Sequence, residues 1–205
     1  MSPLRQDLQI VADWVGEGQR VLDLGCGDGR LLRHLFEQRR ATGYGLEIDP
    51  EGITRSIANG INVIESDLDE GLADFDDGAF DQVILTQTLQ AVQRPDQLLK
   101  DMLRVGRTGI VTFPNFAYYR LRWHIAVRGR MPMSKALSYG WYETPNIHFC
   151  TIRDFEALCE DLGIHILERR VLSHEMKQPW IGGLLPNLFG EVALYRICRA
   201  SGRSE

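Results

Sequence analysis

The residues best suited to chemistry lie in a glycine-rich turn between an apolar run and a helical pattern. The run 20–24 is followed by glycines at alternate positions, Gly25, Gly27 and Gly29. Glycine adopts positive φ and lets a ligand approach the backbone, and a helix begins with free N–H groups. The stretch therefore predicts a strand, a ligand-binding turn and a helix. An ordinary glycine-rich loop is the alternative.

Acidic residues in this turn indicate which ligand it binds. A dinucleotide turn requires the pattern G-x-G-x-x-G, whereas this chain has G-x-G-x-G, with Asp23 before it and Asp28 inside it. A carboxylate repels a nearby pyrophosphate. A nucleoside with a positive charge suits the turn better, and S-adenosylmethionine (SAM) has an ammonium, a sulfonium and no phosphate. Cys26, inside the turn, is either a small packing residue beside the cofactor or, as the weaker interpretation, a nucleophile.

Two further candidates follow later strands. Glu47 ends the apolar stretch 42–47, where a carboxylate can accept from both hydroxyls of a cofactor ribose, and Ile48 follows it. The alternative for Glu47 is a solvated strand end. Gln87 comes just after the strand predicted at 80–85, where it would face the reactive end of the cofactor or an acceptor. We therefore expect these residues to meet the glycine turn.

The elements that position these residues alternate between strand and helix. Apolar and β-branched runs predict strands at about 20–24, 42–47, 61–65, 80–85, 109–113, 164–171 and 192–198, and helical spacing predicts helices between many of them. Such alternation indicates an α/β fold with a parallel sheet. Ligands of these sheets bind at the carboxyl ends of the strands, near the switch in strand order. A loop is expected from Ser173 to Gly190.

The pattern breaks at about 114–150, which we interpret as an inserted flap. Residues 116–142 contain five cations, seven aromatic side chains and no acid. Arginine and aromatic residues are enriched at interfaces, so the segment predicts either a binding surface or a lid packed over the sheet. Arg120 and Trp123 are the candidate contact residues, although Trp123 packed inward is the alternative.

Composition excludes several classes of protein. The 205 residues predict one domain, 1–205, and 44% hydrophobic with 25% charged residues is ordinary for a globular chain. A net charge of −5 argues against nucleic acid as a general partner. No apolar run has the ~20 residues that span a membrane, and no signal-peptide pattern is present, so we expect a cytoplasmic protein. The four cysteines form no C-x-x-C pair, and His148 with Cys150 alone does not support a metal site.

The turn resembles motif I of class I SAM-dependent methyltransferases, whose D-x-G-x-G core corresponds to Asp23, Gly25 and Gly27. A closer resemblance, to the methionine biosynthesis protein MetW family, covers nearly the whole chain. Its specific part is TFPN at 112–115 and TPNIHFCT at 144–151. This resemblance implies a Rossmann-like, seven-stranded sheet with the seventh strand antiparallel and helices on both faces. It also implies that Asp67 meets the adenine amino group and the Leu68 N–H meets the ring, although Asp67 capping a short turn is the alternative.

The family resemblance further implies a role beside homoserine O-acyltransferase. Three hypotheses follow: a SAM-binding (or S-adenosylhomocysteine-binding) partner of that acyltransferase, an active methyltransferase on a small metabolite, or an RNA methyltransferase that uses the basic flap. A methyltransferase needs positioning more than an acid–base pair, so a missing base decides nothing. His124, His148 and Tyr119 are candidate bases, and each is also readily explained as structural.

Overall fold

The computed structural model describes residues 4–134, 137, 139–173 and 185–200. These residues form a seven-stranded sheet in the order β3-β2-β1-β4-β5-β7-β6. Strands β1 to β5 pair in parallel, and β7 is antiparallel to β5 and β6. The bounds are β1 Arg20–Leu24, β2 Thr42–Glu47, β3 Val63–Glu65, β4 Phe80–Thr86, β5 Gly106–Pro114, β6 Ile164–Leu172 and β7 Val192–Arg199. The α/β fold with a mostly parallel sheet is thus confirmed.

Helices cover both faces of this sheet. Alternate residues of a strand point to opposite faces, and the buried side chains accordingly form two clusters. One contains Leu22, Val83 and Val111 with α4 and α6, and the other contains Val21, Ile84 and Ile110 with α1 and α2. The helices are α1 Gln6–Trp14, α2 Arg30–Arg39, α3 Pro50–Ala58, α4 Pro95–Val105, α5 Tyr119–Arg128, α6 Ile152–Asp161 and α7 Pro186–Phe189. No helix of the described residues is long and apolar enough to cross a membrane.

Two helices occur where the sequence predicts irregular chain. Helix α5 lies inside the flap at 114–150, and Leu121 is its one buried residue. With so little burial, the helix lacks the amphipathic period that reveals a helix. Helix α7, only four residues long, lies within the predicted loop 173–190. Lys135 of the flap and Trp180 of the loop fall outside the described residues.

Candidate functional site

The candidate site lies where the strand order switches. Strand β1 lies between β2 and β4, and the loops that follow β1 and β4 meet at the carboxyl edge of the sheet. A Cβ added to Gly25 would lie 2.7 Å from the Thr88 hydroxyl oxygen. Only glycine allows this close approach, because Gly25 also has φ +72°. The predicted ligand crevice therefore has the turn 25–29 on one side and residues 87–90 on the other.

The backbone of the glycine turn is attached to β2. The N–H groups of Gly25 and Cys26 both donate to the Leu46 carbonyl, at 2.8 and 3.0 Å, and the Gly27 N–H donates to Glu47 Oε2 at 2.7 Å. The N–H groups of these three residues therefore have acceptors within the protein, while a ligand contact with the N–H groups at the start of α2 stays a prediction. They form no N–H cradle for a phosphate, a feature that dinucleotide turns require.

Gly27 leaves room beside the turn. Its φ is +59°, and an added Cβ would have no atom of the described residues within 4 Å. Gly29 is different, because its added Cβ would lie 2.9 Å from Ile61 Cγ1 and from Ser56 Oγ. Gly27 therefore borders open space, while Gly29 packs against the protein.

Glu47 organises the end of β2. Besides accepting from Gly27, its carboxylate accepts from the N–H groups of Ile48 and Asp49, at 2.8 and 3.0 Å. Glu47 is therefore not simply solvated at the end of its strand, because its carboxylate accepts hydrogen bonds from three backbone N–H groups. A carboxylate has about four acceptor positions, so capacity remains for one hydroxyl. Ile48 is 57% exposed and contacts Glu47 through its backbone.

Two residues at the end of α3 form hydrogen bonds with the backbone of the turn, and the sequence analysis missed both. The Ser56 hydroxyl donates to the Gly27 carbonyl at 3.0 Å, and the Asn59 amide donates to the Asp28 carbonyl at 2.8 Å. Ser56 is completely buried. Asp49 caps the same helix by accepting from the N–H groups of Glu51 and Gly52, which is a common role for Asp just before a helix that begins with Pro. A polar residue on the inner face of this short helix was the available signal.

Cys26 packs beside the turn. Its side chain is 9% exposed, and its sulfur lies 3.7 Å from the Ser56 hydroxyl oxygen. Burial, with Asp23 adding to it, raises the pKa of the Cys26 thiol to about 12. A thiol with this pKa is protonated at neutral pH, so it is not a nucleophile.

Asp23 is the most unusual residue of the site. It lies in β1 between Gly45 of β2 and Ile84 of β4 and has no exposed surface. Both carboxylate oxygens are buried without a hydrogen-bond partner among the described residues. Burial, and then the charge of Glu47, raise the pKa of Asp23 to about 7. A cation near this carboxylate would offset the cost of burying its charge.

Asp67 and Leu68 follow β3 at the edge of the sheet. Asp67 is the N-cap of a short 3₁₀ turn, Leu68–Glu70, and its carboxylate accepts from the Asp69 N–H at 2.9 Å. The alternative interpretation of Asp67 as a cap is therefore correct. Its second oxygen is still available to an adenine amino group, and that contact stays a prediction.

Gln87 follows β4 in a strained backbone conformation. Its φ is +55°, which among the described non-glycine residues is shared only by Arg40, at the end of α2. Such a conformation costs roughly 1–3 kcal/mol and is found at functional sites. It is held because the Gln87 N–H donates to Thr112 and the Gln87 carbonyl accepts from the Gln90 amide at 2.7 Å.

Gln90 connects this loop to the end of the flap. Its carbonyl accepts from the N–H groups of Ile147 and His148, at 2.9 and 3.0 Å. Its side chain is 7% exposed, and Oε1 has no partner among the described residues. The imidazole of His148 lies 3.3 Å from the Gln93 carbonyl oxygen. Residues 147–148 are thus hydrogen-bonded to the loop that follows β4 and borders the crevice.

The flap has its own small core and an apolar outer surface. Tyr118, Leu121 and Leu137 form a buried cluster. Outside it, Trp123 is 71% exposed, so the interpretation of Trp123 as packed inward is wrong. The other strongly exposed apolar side chains of this segment are Val127, Met133, Tyr139, Trp141 and Tyr142. We call residues 116–142 the flap segment below.

Asn115 explains the specific TFPN motif. It is completely buried, and its amide donates to the carbonyls of Asn187 and Gly190 while its oxygen accepts from the N–H groups of Ala117 and Ile152. Asn115 therefore joins the end of β5, the flap segment, α6 and α7. Thr151 caps α6 in a reciprocal box with Asp154, an arrangement that the sequence T-x-x-D indicates.

The parallel sheet, its switch point and the acidic glycine turn define the class I SAM-dependent methyltransferase fold. A SAM-dependent methyltransferase from Mesorhizobium loti superposes with a TM-score of 0.70 at 19% identity, covering 95% of this chain and 98% of that one. The [4+2]-cyclase SpnF superposes with a TM-score of 0.67 at 16% identity, covering 95% of this chain and 81% of that one. These similarities establish the fold alone, and the second solved structure is not named as a methyltransferase.

Within this fold class, the chain belongs to the methionine biosynthesis protein MetW family, whose model matches residues 5–197. A relative, the bifunctional methionine biosynthesis protein MetXA/MetW of Rhodopirellula baltica, is 41% identical over 174 residues. The match covers 80% of this chain and 28% of that protein. This chain thus spans little more than a quarter of the relative's length. Membership of the MetW family is confirmed.

Proposed function

We propose that this chain, as one domain with an inserted flap, binds SAM or S-adenosylhomocysteine in the crevice and binds homoserine O-acyltransferase through the flap segment. The observation that carries the first part is Asp23, a buried carboxylate without a partner next to a turn that has no N–H cradle at residues 25–27. The exposed aromatic surface carries the second part.

The crevice fits a cationic nucleoside. Gly27 borders open space where the cofactor would approach, and Glu47 retains an acceptor position for a ribose hydroxyl. Asp23 is too buried for direct contact, so its charge acts on the ammonium and sulfonium at short range. Such an interaction is effective because the surrounding strands exclude water. Asp67, Leu68 and Gln87 complete the proposed contacts on either side.

Calorimetric titration tests this part of the proposal. We expect SAM and S-adenosylhomocysteine to bind at one site per chain with a Kd below about 1 mM, the level of roughly −4 kcal/mol. ATP is the matched control, because it carries the same adenosine with phosphates in place of the amino-acid part and its ammonium. Failure of both sulfur ligands to bind at about 1 mM would contradict the proposal. Equal binding of ATP would contradict the role of the acidic turn.

The flap segment is suited to a protein partner. Trp123 and Val127 are one turn apart on α5, and they are 71% and 61% exposed. Trp141 and Tyr142 are in ring contact at 5.7 Å, yet they are 74% and 71% exposed. Exposed apolar clusters of this kind mark interaction sites. In the relative, MetXA and MetW are parts of one bifunctional protein, and we take its MetXA part as the acyltransferase partner of this chain.

A chain of hydrogen bonds joins the two proposed sites. The Gln90 amide donates to the Gln87 carbonyl in the crevice loop, and the Gln90 carbonyl holds residues 147–148 behind it. Residues 147–148 lead to Cys150, whose carbonyl accepts from Phe116 at the start of the flap segment. A cofactor that prefers one arrangement of Gln87 would therefore shift the flap segment as well.

Two of the candidate bases have protein partners. The Tyr119 hydroxyl accepts from Arg120 Nε at 3.1 Å, and His148 contacts the Gln93 carbonyl. These contacts do not decide whether methyl is transferred, and we propose binding as the function that the geometry supports best because the buried Asp23 and the exposed aromatic surface carry it. Mixing the purified chain with purified homoserine O-acyltransferase tests it. We expect a complex on gel filtration and a changed acyltransferase rate, and neither effect would be seen if the partner is wrong.

A further inference from the structure

A cavity of about 470 Å³ lies beside β6, the edge strand of the sheet, between α5, α6 and α7. None of the crevice residues Asp23, Gly27, Glu47 or Gln87 lines it. Small-molecule clefts have volumes of about 300–1,000 Å³, so the cavity is large enough for a small metabolite. Its lining has three parts: cations, acceptors and apolar side chains.

Two of its cations have no acidic partner among the residues that the structure describes. Arg122, Arg153 and Arg169 line the cavity, and of these three Arg169 pairs with a described carboxylate, Glu156, at 2.7 Å. Arg122 Nε donates to the Ala117 carbonyl at 2.6 Å, and Arg153 makes no hydrogen bond or ion pair with the described residues. Arginine binds carboxylates through two parallel N–H bonds. These two side chains are therefore available to a ligand carboxylate.

The same cavity offers acceptors for a positive group. Both Arg169 and the Tyr195 hydroxyl bind Oε1 of Glu156, while Oε2 makes no hydrogen bond within the described part of the chain. Asn187 also lines the cavity, and its Oδ1 is buried without a donor among these residues. A carboxylate in the wall repels phosphate and other purely anionic ligands. An ammonium in the cavity would pair with the Glu156 carboxylate through Oε2.

The remaining lining residues are mainly apolar: Ile152, Leu185, Pro186 and Leu188. We infer that this cavity binds an L-α-amino acid with an apolar side chain, whose carboxylate contacts Arg122 and Arg153 and whose ammonium contacts Glu156. The inference goes beyond the proposed function, because it concerns a second ligand at a separate site. The cavity begins at Arg122 on α5, so an amino acid bound there would contact the helix that carries Trp123.

Binding of L-methionine to the chain alone, measured by calorimetry, tests this inference. Saturating S-adenosylhomocysteine is present throughout, so that the amino acid cannot bind in the crevice. We expect L-methionine and L-leucine to bind, and methioninol and the keto acid of methionine to bind at least tenfold more weakly, since each lacks one charged group. Inorganic phosphate is expected not to compete. Repeating the titration without S-adenosylhomocysteine shows whether amino-acid binding depends on the proposed cofactor.

Variants locate the site. Arg153→Gln is expected to weaken L-methionine binding at least tenfold without lowering the melting temperature, because Arg153 has no partner to lose. Glu156→Gln keeps an acceptor for the Tyr195 hydroxyl. It should weaken the binding of L-methionine more than that of the keto acid, because only L-methionine has an ammonium. Arg128→Gln, an exposed arginine of α5 outside the cavity, is the control and should bind as wild type. The inference is overturned if neither amino acid binds at about 10 mM, tenfold above the millimolar level of weak specific binding, if the keto acid binds equally, or if Arg153→Gln binds as wild type.

Discussion

The glycine turn and the flap segment differ in where their polar and apolar groups lie. At the turn, the N–H groups of Gly25, Cys26 and Gly27 all have acceptors, and the acid Asp23 is completely buried. In the flap segment, large rings such as Trp123 and Trp141 are more than 70% exposed. The first region is held in place by its own hydrogen bonds, whereas the second presents large apolar side chains to solvent, and this difference underlies the proposed cofactor and partner sites.

This contrast has a consequence for mutation. Residues of the turn hold β1, β2 and α3 together, so their substitution affects both stability and cofactor binding. The exposed rings of the flap segment contribute little to the fold, so their substitution affects only partner binding. The following experiments test this separation, beginning with the largest expected effect.

Asp23→Asn should change how stability depends on pH. The folded pKa of Asp23, about 7, lies above its unfolded value of 3.8, so the stabilisation is present at low pH and is lost as pH rises through 7. Relative to the variant, wild type should lose about 3 kcal/mol of unfolding free energy between pH 5 and 8. Urea denaturation at both pH values measures this. A difference between the two proteins that does not vary with pH would mean that Asp23 is paired or hydrated.

Gly27→Val should weaken the binding of S-adenosylhomocysteine at least ~100-fold, or about 2.7 kcal/mol, because the new side chain occupies the open space beside the turn. Gly18→Val is the matched control: Gly18 has φ +70° and equally open surroundings, but it precedes β1 at the opposite sheet edge. Both variants carry the same backbone strain. Equal loss of affinity in the two would assign the effect to strain, not to the cofactor position.

Trp123→Glu should weaken the complex with homoserine O-acyltransferase roughly 30-fold. A Trp that becomes buried when a complex forms is a typical interface hot spot, worth about 2 kcal/mol or more. The melting temperature should not change. Ile57→Glu, which replaces a 61% exposed apolar residue of α3, should bind the partner as wild type. Surface plasmon resonance with immobilised acyltransferase measures both, and wild-type binding by Trp123→Glu would place the interface elsewhere.

Glu47→Gln should weaken cofactor binding about tenfold and also lower the melting temperature. The sequence alone favours an effect on the cofactor with little effect on the fold, but three backbone N–H groups depend on this carboxylate, and each lost hydrogen bond costs about 1 kcal/mol. Glu65→Gln at the neighbouring position of β3 is the control. If Glu47→Gln melts as wild type, the hydrogen bonds at Glu47 do not stabilise the turn.

The sequence predicts the sheet and most of its helices well because those elements have their own apolar pattern. It also places Asp23, Gly27, Glu47 and Gln87 at strand ends, which the parallel sheet then brings to one edge. What it does not show are contacts between distant residues. Ser56 and Asn59 donate to carbonyls 29 and 31 positions earlier in the chain. A polar residue on the inner face of α3 signals a buried hydrogen bond, but it does not identify the acceptor.

Two other features are invisible for different reasons. The positive φ of Gln87 depends on Thr112 in the next strand, so residue type alone gives no signal. Helix α5 is missed because its apolar residues Trp123 and Val127 face outward, which removes the amphipathic period. In that case the failed prediction coincides with the proposed partner surface, since the side chains that break the period are the exposed ones.

The link between the two regions is tested most directly by the Kd of the acyltransferase complex, measured with and without saturating S-adenosylhomocysteine. Because Gln90 joins the crevice loop to residues 147–148 behind the flap segment, we predict that the cofactor changes this Kd at least ~3-fold, about 0.7 kcal/mol of coupling. The Gly27→Val chain should form the complex but show no such change. An identical Kd with and without the cofactor, in wild type that demonstrably binds both, would contradict the account.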